Sequence, residues 1–138
     1  MDPESGRIIL VEDNPNDVEL ILHEFLKAGI ARYVRVLYDG AEALAYLLAV
    51  PSVPVPEIVI LDLKLPKVNG LEVLKQLRNH PTLKEVPVVV FTSSSEERDR
   101  QGSRMCGVDL YIVKPVNHHE FQRAVERIIH FWQSLPDG

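Results

Sequence analysis

The chain has 138 residues, of which 46% are hydrophobic and 25% are charged, a balance typical of one soluble globular domain with its own core. No apolar stretch approaches the length of a membrane span, the acidic N-terminus lacks the apolar segment of a signal peptide, and the net charge of −5 argues against nucleic-acid binding. A single cysteine, Cys106, excludes an intrachain disulfide and a cysteine-based zinc site, and it fits a reducing, cytoplasmic location.

The first predicted strand, residues 7–11, is a short apolar run that ends at the acidic pair Glu12 and Asp13. The helix that follows has Asn14 as a suitable N-cap and Pro15 as a suitable first residue. Taken alone, the acidic pair has two explanations, since it fits either a ligand site at the strand end or a cap of this first helix.

The middle of the chain contains the most apolar predicted strand. A weaker run at residues 33–37 predicts the second strand, residues 40–48 predict a helix, and the proline-rich residues 50–56 predict a stiff loop. Residues 58–61 contain no polar side chain, so they predict a third strand that is buried on both faces. This strand leads directly into Asp62, a carboxylate that fits a nucleophile, a metal ligand or a structural cap.

The fourth strand and the two helices around it are predicted next. Residues 71–79 predict a helix, and residues 86–91 predict a strand that leads into Thr92. A capping-box pattern at residues 94–97 predicts the start of a fourth helix, which ends near Gly107. This helix contains few apolar residues and an internal glycine, so we expect it to be the least stable of the helices.

The last predicted elements are a strand at residues 110–113, which leads into Lys114, and a helix at residues 117–133. Strands that alternate with helices predict βαβ units and therefore a parallel sheet.

One domain is expected over residues 6–133. Residues 1–5 are expected to form a disordered tail, and residues 134–138 a short tail that leaves no room for an output domain.

Polar residues follow four of the five predicted strands, at the edge of a parallel sheet where ligands bind. They are Glu12, Asp13, Asp62, Thr92 and Lys114. Each has an ordinary explanation when taken alone, such as a helix cap, a turn or a solvated lysine. Together they predict a phosphoryl-transfer site, because clustered carboxylates require a cation such as Mg²⁺ and one of them can attack phosphorus. An ammonium and a hydroxyl would stabilise the transferring group.

These residues, in this order, resemble the receiver domain of two-component response regulators. The motifs that carry the resemblance are the acidic pair with Asn14 and Pro15, the Asp62 strand with Leu65, Pro66 and Gly70, Thr92, and Lys114 with Pro115. The resemblance covers about residues 6–133. It implies a flavodoxin-like α/β three-layer sandwich, in which a five-stranded parallel sheet of order 2-1-3-4-5 has helices on both faces.

The resemblance also implies a role for each site residue. Asp62 is the expected phosphoacceptor, and Thr92 and Lys114 are expected to contact the phosphoryl group. The expected cation, Mg²⁺ or Mn²⁺, is held by Glu12, Asp13 and Asp62 with the backbone carbonyl of Lys64. Thr92 and Tyr111 occupy the switch positions of the family. The Lys114–Pro115 peptide is expected to be cis, which would point the lysine ammonium into the site.

A narrower similarity is to the stand-alone regulators that pair with phytochrome-type sensor kinases. It is carried by the acidic pair with Asn14 and Pro15, the proline-rich loop at 50–56, the run at 92–95, Lys114-Pro115-Val116, and Phe131-Trp132 in the last helix. The expected partner is therefore a sensor histidine kinase of the bacterial phytochrome type, with an unknown downstream target. One departure is Lys64, because many of these proteins carry asparagine there. A lysine at this position is expected to affect the lifetime of the phosphorylated state, by shielding the phosphoryl group from water or by pairing with it.

The resemblance implies a phosphoacceptor signalling protein that is not an enzyme, beyond assisting its own phosphotransfer and dephosphorylation. Two other functions share parts of the pattern. A phosphohydrolase of the haloacid dehalogenase kind would need a second aspartate where Lys64 stands. A flavin-binding electron carrier would need a glycine- and hydroxyl-rich loop after the first strand, where this chain is acidic. A pseudo-receiver that binds without being phosphorylated is disfavoured, because every active-site position is filled.

The last helix is apolar over more of its circumference than one sheet covers. One stripe of apolar residues along this helix is ordinary core packing. A second set of apolar residues widens the apolar face, namely Ala124, Ile129, Phe131 and Leu135. Exposed apolar surface marks interfaces, so we expect a homodimer through the face formed by the fourth helix, fifth strand and fifth helix. The alternative is that a few apolar residues stay exposed near the C-terminus.

Overall fold

The computed structural model describes residues 4–136. Five parallel strands form one sheet in the order β2-β1-β3-β4-β5, as predicted. The strands are β1 (Ile8–Val11), β2 (Val34–Leu37), β3 (Ile58–Leu61), β4 (Val88–Thr92) and β5 (Leu110–Val113). The helices are α1 (Pro15–Lys27), α2 (Gly40–Leu47), α3 (Gly70–Arg78), α4 (Glu97–Met105) and α5 (His118–Gln133), with a short 3₁₀ helix at Ala31–Tyr33.

The three central strands are buried on both faces. One hydrophobic cluster lies on each face of the sheet and joins it to the helices that cover that face. On one face, Val73, Leu74 and Leu77 of α3 pack with residues of α2 against the sheet. On the other face, Phe25 of α1 and Val125 of α5 belong to the second cluster. The predicted three-layer sandwich is therefore confirmed.

The fourth helix is held differently from the other four. Its buried residues are Asp99 and Ser103, both polar, and none of its hydrophobic residues lies in either core cluster. Hydrophobic burial is the main source of helix stability in proteins, so α4 depends on polar contacts to stay in place.

Most predicted helix starts agree with the structure, but that of α4 does not. The Asn14 side chain accepts hydrogen bonds from the first turn of α1, with Pro15 at the first helical position. The capping box predicted at residues 94–97 is wrong, because Glu96 is the N-cap of α4 and its side chain makes no capping bond. The Ser94 hydroxyl instead donates to Asp99, inside the helix.

Both chain ends make defined contacts where the structure describes them. The predicted disordered tail falls partly on residues 1–3, which lie outside the described residues, whereas residues 4–6 form a turn. The Gly6 amide in this turn donates to the carbonyl of Tyr33. At the other end, Leu135 packs against the second core cluster. Within residues 4–136, none of the helices combines the length and apolar character that crossing a bilayer requires.

A glycine fixes the backbone next to Asp62. A Cβ atom at Gly70 would lie 2.3 Å from the carbonyl oxygen of Asp62 and 2.5 Å from the Cα of Leu63. The start of α3 therefore packs directly on the chain that follows β3, which only glycine permits.

Candidate functional site

The five residues singled out by the sequence all lie at the carboxyl edge of the sheet. Val11 pairs with Leu61, so Glu12 and Asp62 follow directly from neighbouring strands. Thr92 ends β4, and Lys114 follows β5. The parallel topology alone brings these side chains to one edge, because all five strands point the same way.

Three carboxylates form a compact acidic cluster at this edge. Glu12, Asp13 and Asp62 each offer an oxygen within 4.8 Å of the others. Glu12 and Asp62 are 1% and 4% exposed, whereas Asp13 is exposed to solvent. Hard oxygen ligands at this spacing suit a divalent cation that keeps several waters on its open side.

The ammonium of Lys114 lies among the carboxylates. Its Nζ atom is 2.6 Å from Glu12 Oε1, 2.9 Å from Asp17 Oδ2 and 3.1 Å from Asp62 Oδ2. Asp17, an acidic residue of α1, is not among the site residues predicted from the sequence. Its position in the first turn of the helix that follows β1 is the signal that could have placed it at this edge.

Burial and the surrounding charges shift the pKa values of Glu12 and Lys114. Burial, with the nearby Asp62 carboxylate, raises the pKa of Glu12 to about 7, although Lys114 opposes the shift. Burial alone would lower the pKa of Lys114, but the carboxylates of Asp62, Glu12 and Asp17 outweigh it and raise that pKa. The lysine is therefore held fully charged, as a counter-ion to the acidic cluster.

The two oxygens of Asp62 have different hydrogen-bond partners. The Lys64 amide donates to Oδ1 over 3.1 Å, and the Lys114 ammonium donates to Oδ2 over 3.1 Å. The Asn14 amide donates to the neighbouring Glu12 in the same way, over 3.1 Å. Backbone and lysine donors thus fix the orientation of the carboxylate at the end of β3.

The two residues at the expected switch positions are linked through Ser94. Thr92 is fully buried, and its Oγ1 accepts a hydrogen bond from the Ser94 amide over 3.3 Å. Tyr111 is half-buried, and its hydroxyl donates to the Ser94 carbonyl over 2.9 Å. The Arg100 guanidinium lies 5.0 Å from the centre of the Tyr111 ring.

The Lys64 side chain points toward α4. Its ammonium lies 3.3 Å from Asp99 Oδ2 and 3.8 Å from Glu96 Oε1. Both partners are residues that the sequence did not single out for the site. The Ser94 hydrogen bond, with the Lys64 ammonium, lowers the pKa of Asp99.

The cis peptide bond predicted at Lys114–Pro115 is wrong. The cis X-Pro bond among the described residues is Val50–Pro51, and Lys114–Pro115 is trans. The lysine ammonium still reaches all three of its carboxylate partners, so a trans bond is sufficient to direct it into the site.

Comparison with known proteins identifies relatives over nearly the whole chain. The model of the response regulator receiver domain family matches residues 8–126. A probable methanogenesis regulatory protein, FilR2 of Methanothrix harundinacea, is 38% identical over 91% of this chain and 82% of its own length. The response regulator Rcp1 of Synechocystis is 36% identical over 91% of this chain and 87% of its own length.

Two solved structures share the fold closely. The phosphorylated cyanobacterial phytochrome response regulator RcpA has a TM-score of 0.85 and 38% identity, covering 94% of this chain and 95% of that one. The Mn²⁺-bound form of Rcp1 has a TM-score of 0.87 and 34% identity, covering 94% of this chain and 96% of that one.

Proposed function

Since this chain belongs to the response regulator receiver domain family, we propose that it accepts a phosphoryl group from a sensor histidine kinase onto Asp62. The observation that carries the proposal is the setting of this carboxylate at the end of the central strand β3. It is buried and oriented by the Lys64 amide and the Lys114 ammonium, and it lies beside two further acids. A nucleophile needs this kind of fixed orientation.

The proposed transfer is a single displacement at phosphorus. A carboxylate oxygen of Asp62 attacks the phosphorus of the kinase phosphohistidine, and an O–P bond forms as the P–N bond breaks. The imidazole nitrogen keeps the electron pair of the broken bond and takes up a proton. Later attack by water releases phosphate and restores the carboxylate, so the protein assists its own transfer and dephosphorylation but acts on no other substrate.

A divalent cation, Mg²⁺ or Mn²⁺, fits the acidic cluster. Glu12, Asp13 and Asp62 would hold it, with the backbone carbonyl of Lys64 as a further ligand. When bound, the cation supplies positive charge that offsets repulsion between the carboxylate and the incoming phosphoryl group. The structure of Rcp1 with Mn²⁺ supports this assignment by similarity.

Lys114 and Thr92 would stabilise the phosphoryl group once it is attached. The Lys114 ammonium already contacts Asp62, so it can shift to a phosphoryl oxygen without leaving the site. Thr92 is buried and is the last residue of β4, the strand that pairs with β3, so its hydroxyl lies near the end of β3. Tyr111 would respond through Ser94, and the face formed by α4, β5 and α5 would then change as the output surface for an unknown target.

The proposed sensor kinase is a bacterial phytochrome, and the proposed location of the protein is the cytoplasm. The support is similarity to RcpA, a phytochrome response regulator, over 94% of this chain. The net charge of −5 favours a protein target over a nucleic acid. A homodimer through the α4, β5 and α5 face is part of the same proposal.

Phosphotransfer from a purified sensor kinase tests the proposal. A bacterial phytochrome kinase is autophosphorylated with radiolabelled ATP, separated from the nucleotide and mixed with the protein and Mg²⁺. We expect label to pass within minutes to the wild-type chain and to an Asp109→Asn variant, but not to Asp62→Asn. Asp109 is a matched control, because it precedes β5 at the opposite edge of the sheet and bonds the Val88 amide.

The outcomes separate the phosphoacceptor from the partner. Label on Asp62→Asn would contradict the assignment of the phosphoacceptor. Transfer from an unrelated histidine kinase at the same rate would contradict the phytochrome pairing and leave Asp62 in place.

A further inference from the structure

A buried carboxylate on α4 makes two contacts that the phosphorylation chemistry does not use. Asp99 is 5% exposed, and its Oδ2 atom accepts a hydrogen bond from the Ser94 hydroxyl over 2.5 Å. The Lys64 ammonium lies 3.3 Å from the same oxygen. Because a buried charge is costly without partners, these two contacts are what allow Asp99 to remain ionised at this position.

Each partner of Asp99 also contacts a residue of the phosphorylation site. The Lys64 amide donates to Asp62, and the Ser94 amide donates to Thr92. One carboxylate on α4 is therefore connected to the phosphoacceptor through one loop and to the buried threonine through another. The Ser94 carbonyl also holds the Tyr111 hydroxyl, so both switch positions meet at Ser94.

The rest of α4 provides little to hold the helix in place. It contributes no hydrophobic side chain to either core cluster, its N-cap Glu96 makes no side-chain capping bond, and Gly102 interrupts its interior. Glycine in a helix interior destabilises the helix relative to alanine. The polar contacts of Asp99 therefore contribute more to the position of α4 than polar contacts do in the other helices.

We propose that Lys64, Ser94 and Asp99 form a latch, here called the α4 latch, that holds the first turn of α4 against the phosphorylation site until Asp62 is phosphorylated. The proposal rests on the proposed function, since it needs Asp62 to be the phosphoacceptor. Asp99 and Ser94 act in it as positioning residues, because they touch no reacting atom.

Phosphorylation opens the α4 latch in two ways. The new group brings about −1.5 to −2 charges next to Lys64, whose ammonium then has a second anion to pair with in place of Asp99. The Thr92 hydroxyl turns to the phosphoryl oxygens and gives up its contact with the Ser94 amide. The first movement draws Lys64 away from Asp99, and the second frees the Ser94 backbone from Thr92, so that the Ser94 hydroxyl is no longer held in place beside Asp99. The buried carboxylate on α4 is then under-paired, which favours release of the helix.

Hydrogen exchange of α4 amides, followed by mass spectrometry, measures the α4 latch directly. The proteins compared are the wild type, Asp99→Asn, Ser94→Ala and Glu96→Gln, each with Mg²⁺ and with or without beryllofluoride as a phosphoryl mimic. Asn keeps the size of Asp99 and an acceptor for Ser94 but removes the charge that pairs with Lys64. Glu96→Gln is the control, because Glu96 is exposed and lies farther from Lys64, at 3.8 Å.

In the wild type we expect beryllofluoride to speed exchange across residues 97–105 by about tenfold or more, the size of effect that a lost hydrogen bond to a charged group produces. Asp99→Asn and Ser94→Ala should exchange faster without the mimic and should gain little more with it. Glu96→Gln should behave like the wild type. A merely structural role for Asp99 would raise exchange in the variant but leave the increment caused by the mimic intact, so this increment decides the proposal.

Failure of the proposed function and failure of the α4 latch can be told apart with the same proteins. Each protein is also treated with acetyl phosphate, and its intact mass is measured by mass spectrometry. If the wild type gains no phosphoryl mass, the proposed function fails, and release of the α4 latch by phosphorylation fails with it. If phosphorylation occurs but α4 exchange in Asp99→Asn matches that of the wild type in both conditions, the α4 latch is overturned and Asp62 stays the phosphoacceptor. Thermal unfolding checks that each variant is folded, and Ser94→Ala serves as the second variant if Asp99→Asn is not.

Discussion

Lys114 is the residue that makes the acidic cluster compatible with a folded protein. Its side chain is 9% exposed and contacts Glu12, Asp17 and Asp62 within 2.6–3.1 Å. Without it, at least two buried carboxylates would repel each other in a medium that screens poorly. In the proposed function the same ammonium also offsets the charge of the phosphoryl group, so one side chain would serve both stability and function.

Replacing Lys114 by methionine should therefore destabilise the protein. We expect the free energy of unfolding without Mg²⁺ to fall by about 2 kcal/mol or more, since breaking a buried ion pair leaves uncompensated charge. Mg²⁺ should restore part of the loss, because the cation replaces the missing counter-ion. Urea unfolding with and without Mg²⁺ measures both effects, and an unfolding midpoint that matches the wild type without Mg²⁺ would refute this role of Lys114.

Asp13 offers a test of the cation site that leaves the core untouched. It is exposed, whereas its two partners in the acidic cluster are buried. We expect Asp13→Ala to weaken Mg²⁺ binding by about tenfold or more, since a ligand carboxylate is lost. Calorimetry gives the affinity, with Asp109→Asn as the control, and equal affinities in the wild type and Asp13→Ala would exclude Asp13 as a ligand.

The sequence was sufficient to predict which residues reach the site, but not all of their contacts. Glu12, Asp13, Asp62, Thr92 and Lys114 follow strands whose common direction fixes where they lie. The contacts of Asp17 and Asp99, by contrast, depend on how helices settle against loops, which no local pattern specifies. The trans Lys114–Pro115 bond was missed because the long lysine side chain reaches the carboxylates without a turn in the backbone.

At the scale of elements, one arginine joins the loops at the amino edge of the sheet to α3. The Arg78 guanidinium donates to four backbone carbonyls, two from the chain that leads into β4 and two from the chain that leads into β5. Its acceptors are the carbonyls of Lys84, Val86, Cys106 and Gly107. Arg78 therefore fixes the loop that follows α3 and the loop that follows α4. Both loops lie at the edge of the sheet opposite the acidic cluster.

We expect Arg78→Met to lower the free energy of unfolding by about 2–4 kcal/mol, because several carbonyls lose a charged donor at once. Phosphorylation of Asp62 by a small donor should survive, since the four carbonyls that Arg78 contacts lie at the opposite edge of the sheet from Asp62. Chemical denaturation gives the stability, with the exposed Arg104→Met as the control. A loss in Arg78→Met no greater than in Arg104→Met would show that these hydrogen bonds contribute little.

The boundaries of most elements were predictable from apolar runs and capping residues. Asn14 and Pro15 marked the start of α1, and β3 was recognisable from its unbroken apolar run. The start of α4 was misjudged because Ser94 has the right residue type for a cap but is used for a contact with Asp99. The Ser94 hydroxyl also accepts a hydrogen bond from the Glu96 amide over 3.3 Å, so it contacts the start of α4 without being its N-cap.

At the scale of the whole molecule, the extra apolar residues of α5 are largely used within the chain. Ile129 is buried, and Phe131, Trp132 and Leu135 pack against the second core cluster. The Trp132 ring also lies 5.9 Å from the Tyr33 ring, tilted by 45°, and its Nε1 donates to Glu57 over 3.0 Å. The exposed apolar surface that motivated the dimer is therefore smaller than the sequence suggested, although Met105 of α4 is 88% exposed.

The homodimer stays a prediction. Through the α4, β5 and α5 face, we expect self-association at micromolar concentration, strengthened by beryllofluoride if the α4 surface changes on phosphorylation. Light scattering coupled to size-exclusion chromatography measures the mass in both conditions. A Met105→Lys variant should weaken association by placing a charge in the interface, and a strict monomer of the wild type in both conditions would remove the dimer.

The phosphoacceptor is the central claim, and mapping the phosphorylated residue tests it most directly. The protein is treated with acetyl phosphate and Mg²⁺, digested, and sequenced by mass spectrometry, in parallel with Asp62→Asn and the control Asp109→Asn. We expect one phosphoryl group on Asp62 in the wild type and in Asp109→Asn, and none in Asp62→Asn. An undiminished, base-labile phosphoryl group on Asp62→Asn would contradict the account.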